Sequence, residues 1–489
     1  MMGTAALRVF ALQNAIPLID RSITDCLIIF TRYPLPGKAK TRLIPAIGAE
    51  AAAQLQRKMT EHTLRQAWIW QAGIDPETRQ RTGGKTEIWF ARSDSQSDSR
   101  SDSRSDSRSD SQSDSSEASD QQQMQAWLGS QWHYRAQPEG NLGDRLIQAI
   151  QAAFATGMQR VVTIGTDCPG LNATRMRQAF TALDQADLVL GPALDGGYYL
   201  IGLRQFVPDL FAGIAWSTAT VLQQTVEIAE RLGLTVAYLE PLSDVDRAAD
   251  LPVWQAIEQA QPWLSVVVPA FNEENRINPV VQSIRQTALI EIIVVDGGSD
   301  DRTVDRAMEL GVTVLQTALG RSLQMNAGAN AAAGKVLLFL HADTQLPSDF
   351  LIWIQQILMQ PGTVAGAFEL KIDGVQPGLR WVEWGVKWRS RLLQLPYGDQ
   401  AIFVPAEIFQ QTGGFPDLPI MEDFEWVRRL RHLGKIGIAP APVLTSGRRW
   451  QQVGIWRTTW INQLVIAAYF LGLSPDRIAR WYRGAGKLR

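Results

Sequence analysis

Short apolar runs and helical stretches alternate along the first half of the chain. Runs rich in β-branched and aromatic residues at positions 27–30, 87–90 and 161–164 predict buried strands. Residues 49–70 and 142–154 are predicted to form helices, and they lie between these runs. This alternation favours a mostly parallel sheet that is covered by helices on both faces.

A second series of the same kind begins at residue 264. Its predicted strands are 265–268, 292–295 and 336–340, and a helix predicted over 252–259 ends just before it. A chain of 489 residues is also too long for one ordinary hydrophobic core. We therefore predict an α/β protein with two tandem domains, 23–260 and 263–489, each a mostly parallel sheet flanked by helices. Residues 1–22 are expected to be loosely attached, because polar residues interrupt their apolar ones.

One segment differs from the rest in composition. Residues 93–120 repeat Ser-Asp-Ser-Arg and Ser-Asp-Ser-Gln with almost no apolar residue. Such a stretch buries too little surface to offset the entropy of ordering it, so we predict a disordered surface loop. A phosphorylated or binding segment is one interpretation. A tolerated insertion is favoured over it, because long insertions cost little loop-closure free energy.

Composition and charge exclude several classes of protein. The chain is 45% hydrophobic and 20% charged, and its formal net charge is -2, so there is no bulk attraction to nucleic acid and no nucleic-acid partner is expected. The two cysteines, Cys26 and Cys168, exclude a disulfide framework and have no metal-binding spacing. They indicate a reducing compartment, which favours the cytoplasm.

Both halves have an aspartate just beyond the carboxyl end of a predicted strand. Asp167 follows the strand at 161–164, and Asp343 follows the strand at 336–340. Ligands bind at this edge in open α/β sheets. In the second half, carboxylates recur in the segments 269–274, 296–301, 341–343, 398–400 and 421–423. Carboxylates that must stay ionised together need a cation, and hard oxygen ligands favour Mg²⁺ or Mn²⁺.

Taken in order, these segments resemble family-2 glycosyltransferases, which share the GT-A fold. The resemblance is closest to a bacterial subgroup that carries His-Ala-Asp-Thr and Met-Glu-Asp, and it covers residues 263–489. It implies a hexosyltransferase-type enzyme that uses Mg²⁺ or Mn²⁺ and transfers a sugar, with inversion, from a nucleotide-sugar donor to an acceptor hydroxyl. Relatives often have Asp-x-Asp where this chain has His341-Ala342-Asp343, which leaves the ribose contacts and the metal preference open.

The resemblance also implies roles for individual residues. Asp343 would ligate the metal that bridges the donor diphosphate, and Asp423 would be the general base that takes the acceptor's proton. Arginine suits the diphosphate because its planar fork binds two oxygens at once. The donor-binding residues would be Pro269, Glu273, Asp296, Arg321, Asp343, Arg448 and Arg449.

Several of these residues have purely structural interpretations that stay open at this point. Asp296 is also suited to a turn before two glycines, and Asp300 and Asp301 are suited to capping the helix that follows them. Arg449 is equally well explained as a solvated charge. His341 is favoured as a positioned polar residue over a metal ligand, because no second His or Cys lies near it at ligand spacing.

The first half has a basic loop directly after its first strand. Gly37 allows a close approach of the backbone to an anion, and Lys38, Lys40 and Arg42 supply charge, although the spacing is not that of a Walker A loop. With the segments 165–169, 195–199 and 242–246, this loop resembles a GT-A-like family related to nucleotidyltransferases such as 2-phospholactate guanylyltransferase. The resemblance implies phosphate binding by the basic loop and a metal at Asp167, with Asp246 as a second ligand.

The C-terminal tail has an apolar run at 464–471, far short of the roughly 20 residues that span a bilayer. The flanking residues are aromatic and basic, and they include Trp456, Trp460, Arg477 and Trp481. A helix packed on the domain is the favoured interpretation, and peripheral contact with the inner face of the membrane is the other. The second interpretation makes a lipid-like or carotenoid-type acceptor attractive.

These patterns favour a fused enzyme in which a nucleotidyltransferase-like domain precedes a glycosyltransferase domain. One alternative is a nucleotidyltransferase whose first half makes an activated donor. The other is a nucleotide-sugar-binding protein without turnover. Carboxylates at every expected catalytic position argue against this inert alternative.

Overall fold

The computed structural model describes residues 24–73, 83–92, 110–284 and 290–485, with side chains for all of these except 110–117, 449 and 483–485. Contacts within the described chain divide it into two compact units, which meet in sequence at Ala260 and Gln261. Residues 1–22, which we expected to be loosely attached, lie outside the described residues.

The first unit contains a seven-stranded sheet in its described residues. Its strands are β1 Asp25–Arg32, β2 Lys85–Ala91, β3 His133–Ala136, β4 Arg160–Ile164, β5 Leu188–Pro192, β6 Tyr198–Leu203 and β7 Val236–Tyr238. Its helices are α1 Ile44–Ile47, α2 Ala49–Ala72, α3 Asp110–Leu128, α4 Leu142–Ala155, α5 Ala173–Ala182, α6 Val221–Arg231 and α7 Leu251–Gln259. The strands and helices predicted for this half therefore coincide with observed elements.

The strands of this sheet lie in the order β3-β2-β1-β4-β6-β5-β7. The first four are parallel, and β6 is antiparallel to both of its neighbours. Successive residues of β1 face opposite layers. Leu27 and Ile29 pack in one core with α2 and α5, and Cys26 and Ile28 pack in another with α4 and α6. Because the strand order reverses at β1 and β4, a crevice opens at their carboxyl ends.

The second unit repeats this construction with an eight-stranded sheet in its described residues. Its strands are β8 Leu264–Ala270, β9 Ile290–Asp296, β10 Thr313–Gln316, β11 Val336–Phe339, β12 Thr344–Gln345, β13 Thr363–Ile372, β14 Phe403–Pro405 and β15 Lys435–Thr445. Its helices are α8 Ile277–Ile284, α9 Thr303–Glu309, α10 Arg321–Ala331, α11 Phe350–Leu358, α12 Pro377–Leu393, α13 Ala406–Gln411, α14 Glu422–Leu433, α15 Arg448–Val453, α16 Ile455–Phe470 and α17 Pro475–Ala485.

The second sheet has the order β10-β9-β8-β11-β14-β13-β15-β12. As in the first sheet, the third, second, first and fourth strands lie side by side in parallel, and an antiparallel strand follows. β8 is buried on both faces, since Val266, Val267 and Val268 are all fully covered. The expected α/β fold class, with two mostly parallel sheets flanked by helices, is thus confirmed.

The polar segment at 93–120 differs in part from the prediction. Residues 93–109 lie outside the described residues, but Asp110 already begins α3, so the prediction of a loop was wrong for 110–120. The far end of this helix is anchored, because Met124, Trp127 and Leu128 are buried in the core. An anchored helix end removes the cost of nucleation, and the polar residues that precede it extend the same helix.

Candidate active site

The loops that follow β8 and β9 are held together by hydrogen bonds between side chains and backbone. The backbone N–H of Asn272 donates to Ser299 Oγ at 2.8 Å, and that of Glu273 donates to Thr303 Oγ1 at 2.7 Å. Asn272 adopts a left-handed backbone (φ 55°), which turns the chain at this point. These contacts fix Glu273 at the carboxyl edge of the sheet. Pro269, also predicted to bind the donor, lies near the end of β8.

Asp296 ends β9 and is fully buried. Its Oδ2 accepts the backbone N–H of Gly298 at 2.9 Å and that of Ser299 at 3.0 Å. The carboxylate therefore orders its own turn, as the structural interpretation expected, and its role toward a donor stays a prediction. Asp301 likewise serves the start of α9, where its Oδ1 accepts the backbone N–H of Thr303 at 2.9 Å.

Glu273 lies next to two other predicted site residues, Arg448 and Asp343. Its carboxylate accepts Arg276 Nη1 at 2.7 Å and Arg448 Nη2 at 3.3 Å, so predicted donor-binding residues from the loop after β8 and from α15 come together. Burial raises the pKa of Asp343, and the nearby charge of Glu273 raises it further. Glu273, Asp343 and Arg448 thus form one end of a charged site. The side chain of Arg449 lies outside the described ones.

Asp423 lies in the first turn of α14. Its Oδ2 accepts the backbone N–H of Gly398 at 2.7 Å, and its Oδ1 accepts that of Phe424 at 2.7 Å. A Cβ on Gly398 would lie 3.0 Å from His341 Nε2 and 3.3 Å from Asp423 Oδ2. Three separate segments therefore meet at Gly398, and the absence of a side chain there allows the approach.

Two further carboxylates next to Asp423, those of Asp399 and Glu422, were given no role in the sequence analysis. Burial raises the pKa of Asp399 to about 6 against the lowering effect of Arg389, and Asp423 adds to the rise. Asp399 Oδ1 is buried and has no hydrogen-bond partner among the described residues. Burial and Asp423 together raise the pKa of Glu422 to about 7. Both residues lie in motifs that the sequence analysis singled out, but only their burial reveals that they titrate near neutrality.

Arg321 begins α10 and is the cation shared by this site. Its positive charge lowers the pKa values of Asp343, Asp399 and Glu422, in each case against the larger effect of burial. Burial and Arg321 also lower the pKa of His341 to about 3, so the imidazole is neutral at physiological pH. The charge of Arg321 therefore acts on carboxyl groups from three of the segments singled out in the sequence, and its role toward a donor stays a prediction.

In the first unit, the predicted basic and acidic residues pair directly with each other. Lys40 Nζ lies 2.7 Å from Asp167 Oδ1, and it also donates to the backbone carbonyl of Val245. Arg42 forms an ion pair with Asp246. Lys40 is buried whereas Asp167 is half exposed, so the aspartate keeps an open side.

A cavity of about 570 Å³ opens at the carboxyl ends of β1 and β4, where the strand order predicts a ligand site. Gly37 turns the basic loop beside it with a left-handed backbone (φ 82°), and the carbonyl of Lys38 accepts Arg32 Nη1 at 3.4 Å. The charged residues that line the cavity are Arg32, Arg42, Arg145, Arg247, Asp167, Asp195, Asp244 and Asp246. Burial raises the pKa of Asp244, and Asp195 and Asp246 add to the rise. The cavity therefore combines acidic and basic groups, as a site for a phosphate and a cation would.

Comparison with known families assigns the second unit. Residues 265–406 match the model of glycosyl transferase family 2. The C-terminal half carries a family-2 glycosyltransferase domain. Residues 77–218 match a second model, DUF2064, described as an uncharacterized protein conserved in bacteria. The glycosyltransferase resemblance predicted from the motifs is confirmed.

Individual relatives agree with this assignment. The 4,4'-diaponeurosporenoate glycosyltransferase of Staphylococcus haemolyticus is 34% identical over 95 residues, which are 18% of this chain and 25% of that protein. The probable glycosyltransferase YdaM of Bacillus subtilis is 27% identical over 266 residues, 47% of this chain and 63% of the relative. The chain thus spans less than two thirds of either curated relative. A solved structure from Desulfovibrio desulfuricans G20, described as a nucleotide-diphospho-sugar transferase, is 33% identical over 48% of this chain and 88% of its own, with a TM-score of 0.39.

The described side chains of the glycosyltransferase domain do not by themselves form a metal site. Within the described ranges, no group of three or more His, Cys, Asp or Glu side chains is arranged to hold a metal ion. Asp343 is nevertheless partly buried beside Glu273, and Asp399 keeps an unpaired oxygen. Magnesium is often held by one or two carboxylates and the phosphates of the substrate. The residues present fit a cation of that kind, which binds together with a diphosphate.

The tail of the glycosyltransferase domain packs on the domain through part of its surface, as the favoured interpretation of its sequence expected, and membrane contact stays a prediction. α16 buries Thr458, Ile461 and Val465 against the domain, whereas Trp456 and Trp460 are 67% exposed. No helix in the part of the chain that the structure describes is both long and apolar enough to cross a membrane.

Proposed function

We propose that the C-terminal domain transfers a sugar from a nucleotide-sugar donor to an acceptor hydroxyl with inversion, and that Asp423 is the general base. The observation that carries the proposal is the setting of Asp423. Two backbone N–H groups orient its carboxylate, and its negative charge raises the pKa values of two neighbouring buried carboxyl groups, Asp399 and Glu422.

The chemistry needs a carboxylate at this position. The acceptor hydroxyl gives its proton to a carboxylate oxygen of Asp423 while its own oxygen bonds to the anomeric carbon of the sugar. The bond from that carbon to the diphosphate oxygen breaks at the same time, and the electron pair leaves with the nucleoside diphosphate. A single displacement of this kind inverts the anomeric centre.

The departing diphosphate gathers negative charge, and three arginines support its stabilisation in this proposal. Arg321 is the shared cation of the site, Arg448 pairs with Glu273, and Arg449 follows it in α15. Asp343 would hold Mg²⁺ or Mn²⁺, which supplies further neutralisation of the leaving group. Pro269, Glu273 and Asp296 would contact the rest of the donor.

We further propose that the acceptor is lipid-like. The name of the Staphylococcus haemolyticus relative gives 4,4'-diaponeurosporenoate as its substrate. The exposed tryptophans of α16 support contact of this domain with a membrane surface, which would bring the enzyme to an acceptor dissolved there.

For the first unit we propose phosphate binding of the nucleotidyltransferase kind, with Lys38, Lys40 and Arg42 toward the phosphates and Asp167 and Asp246 toward a cation. Of these residues, Arg42, Asp167 and Asp246 line the cavity at the carboxyl ends of β1 and β4, which supports their assignment. If this unit alone converts a nucleoside triphosphate and releases pyrophosphate, synthesis of an activated donor becomes the main activity. If neither unit shows turnover, the chain is a nucleotide-sugar-binding protein.

Donor binding by the full chain tests the main proposal. Calorimetry with a panel of nucleotide-sugars in Mn²⁺ should find a ligand whose affinity falls about tenfold or more in EDTA. Asp343→Asn should abolish the response to metal, whereas Asp349→Asn, an exposed carboxylate at the start of α11, should retain it. Binding that is unchanged in EDTA, or in the Asp343 variant, would contradict the assignment.

A further inference from the structure

α12 exposes a row of tryptophans. Trp381, Trp384 and Trp388 follow one another at helical spacing and are 67%, 57% and 50% exposed. The ring centroids lie 6.3 Å apart for the first pair and 5.8 Å apart for the second, so the indoles form one continuous strip. Leu392 and Leu393 continue the apolar exposure at the end of the helix. Large apolar groups are rarely exposed together in this way without an interaction partner.

The neighbouring helix α16 exposes a second pair of tryptophans. Trp456 and Trp460 lie one helical turn apart, and both are 67% exposed. The two helices are neighbours, because a Cβ on Gly378 of α12 would lie 3.1 Å from Ile455 Cδ1 of α16. We call Trp381, Trp384, Trp388, Trp456 and Trp460 the tryptophan surface.

The charges around the tryptophan surface are mainly positive. The basic residues of α12 are Arg380, Lys387, Arg389 and Arg391, and its acidic residue is Glu383. The basic residues of α16 and α17 include Arg457, Arg477 and Arg480, and the acidic residue is Asp476. Glu369 on the adjacent strand pairs with Lys387 and Arg391. Arg389 is stacked on Tyr397 and donates to Gln400, so its charge is engaged within the domain. The other six basic residues outnumber the three acidic ones.

We propose that the tryptophan surface docks on an anionic lipid bilayer. Indole rings are favoured at the level of the lipid head groups, where one edge is apolar and the other is hydrated. The surrounding arginines and lysines are attracted to anionic head groups. A second copy of the chain is the less suitable occupant, because a two-fold contact would bring this positive surface against itself.

The tryptophan surface is connected to the acceptor side of the proposed active site. The chain leaves α12 at Leu393, turns at Gln394 (φ 49°) and reaches Gly398, whose N–H holds Asp423. Phe424 at the start of α14 contacts Tyr469 and Phe470 at the end of α16, with ring centroids 6.0 Å and 5.7 Å apart. Docking would therefore bring the base close to the bilayer, and this consequence rests on the proposed function.

Vesicle co-sedimentation of the full chain, without donor, tests the proposal. The protein should sediment with vesicles of phosphatidylcholine and phosphatidylglycerol, and more weakly with phosphatidylcholine alone. The variant Trp381→Ser/Trp384→Ser/Trp388→Ser should lower the partition coefficient about tenfold or more, with little change in melting temperature because the indoles are exposed. The control Ile352→Ser/Met359→Ser removes apolar groups that are 55% and 81% exposed on and beside α11, and it should bind like the parent.

Three outcomes would overturn the proposal. The parent fails to sediment with anionic vesicles, the triple variant binds them as well as the parent, or the control variant loses as much vesicle binding as the triple variant. Sedimentation velocity measures the oligomeric state and so tests the other occupant, a second copy of the chain. If the parent is a dimer that binds no vesicles, and the triple variant is a monomer, the surface belongs to a second copy. Asp423→Asn should bind vesicles like the parent, so failure of the glycosyltransferase proposal and failure of docking are distinguishable.

Discussion

Replacing Asp423 by Asn separates catalysis from the structural role of its carboxylate. Asp423 is the second residue of α14 and not its N-cap, which is Met421, so α14 should keep its start in the variant. The two oxygens of the carboxylate, however, accept different backbone N–H groups. Oδ2 accepts the N–H of Gly398, and Oδ1 accepts the N–H of Phe424. The amide offers one oxygen, so one N–H loses its acceptor. This loss costs about 1–3 kcal/mol of stability.

The effect on transfer should be much larger than this. The amide cannot take the acceptor's proton, and loss of general-base catalysis lowers rates by roughly two to four orders of magnitude. We therefore expect the variant to melt a few degrees lower, with donor affinity unchanged. Product formation from a radiolabelled donor, measured below the melting transition, gives the rate.

The matched control is Glu407→Gln, an exposed carboxylate in the first turn of α13. It also changes an acid to its amide near a helix start, and it should transfer sugar like the parent. If Asp423→Asn transfers within a few-fold of the parent at unchanged donor binding, Asp423 is not the base. If both variants lose activity equally, the effect is not specific to this carboxylate.

Three more predictions concern neighbouring features. Gly398→Ala should slow transfer about tenfold or more in the same assay while donor binding persists, because its Cβ would displace His341 or Asp423. Burial raises the pKa of Glu422 from 4.5 to about 7, so the folded state holds a proton that the unfolded state has lost in this pH range. In urea unfolding, the free energy of unfolding should therefore fall by up to about 3 kcal/mol as the pH rises from 4.5 to 7. Glu422→Gln should flatten this dependence of stability on pH, and an unchanged dependence would exclude Glu422 as its source. Replacing residues 93–109 by a short Gly/Ser linker should leave the melting temperature in calorimetry unchanged. Trp127→Ala should lower the free energy of unfolding by about 3–5 kcal/mol, because Trp127 is buried in the core. Equal effects of the two changes would contradict the anchoring of α3.

The sequence alone determined the strands β1, β2, β4, β8, β9 and β11, and the domain to which the glycosyltransferase motifs belong. β-branched runs fixed the strands, since a strand buried on both faces must be apolar throughout, as in β8. The carboxylates that follow those strands were predicted correctly to lie at the sheet edge, because parallel strands end together. The start of α3 was missed, because its anchor, Trp127, lies beyond the polar repeat that suggested a loop.

Only the tertiary structure decided which of the charged residues act on one another. Lys40 and Asp167 were assigned separately to phosphate and metal, yet they form an ion pair across distant segments. Asp399 and Glu422 acquire pKa values near neutrality because folding buries them next to Asp423. In the sequence, Asp399 lies 24 residues before Asp423, and Glu422 lies directly before it. Local composition sets which backbone conformation a segment favours, whereas a shift in pKa depends on burial and on neighbours that the chain brings together only when it folds.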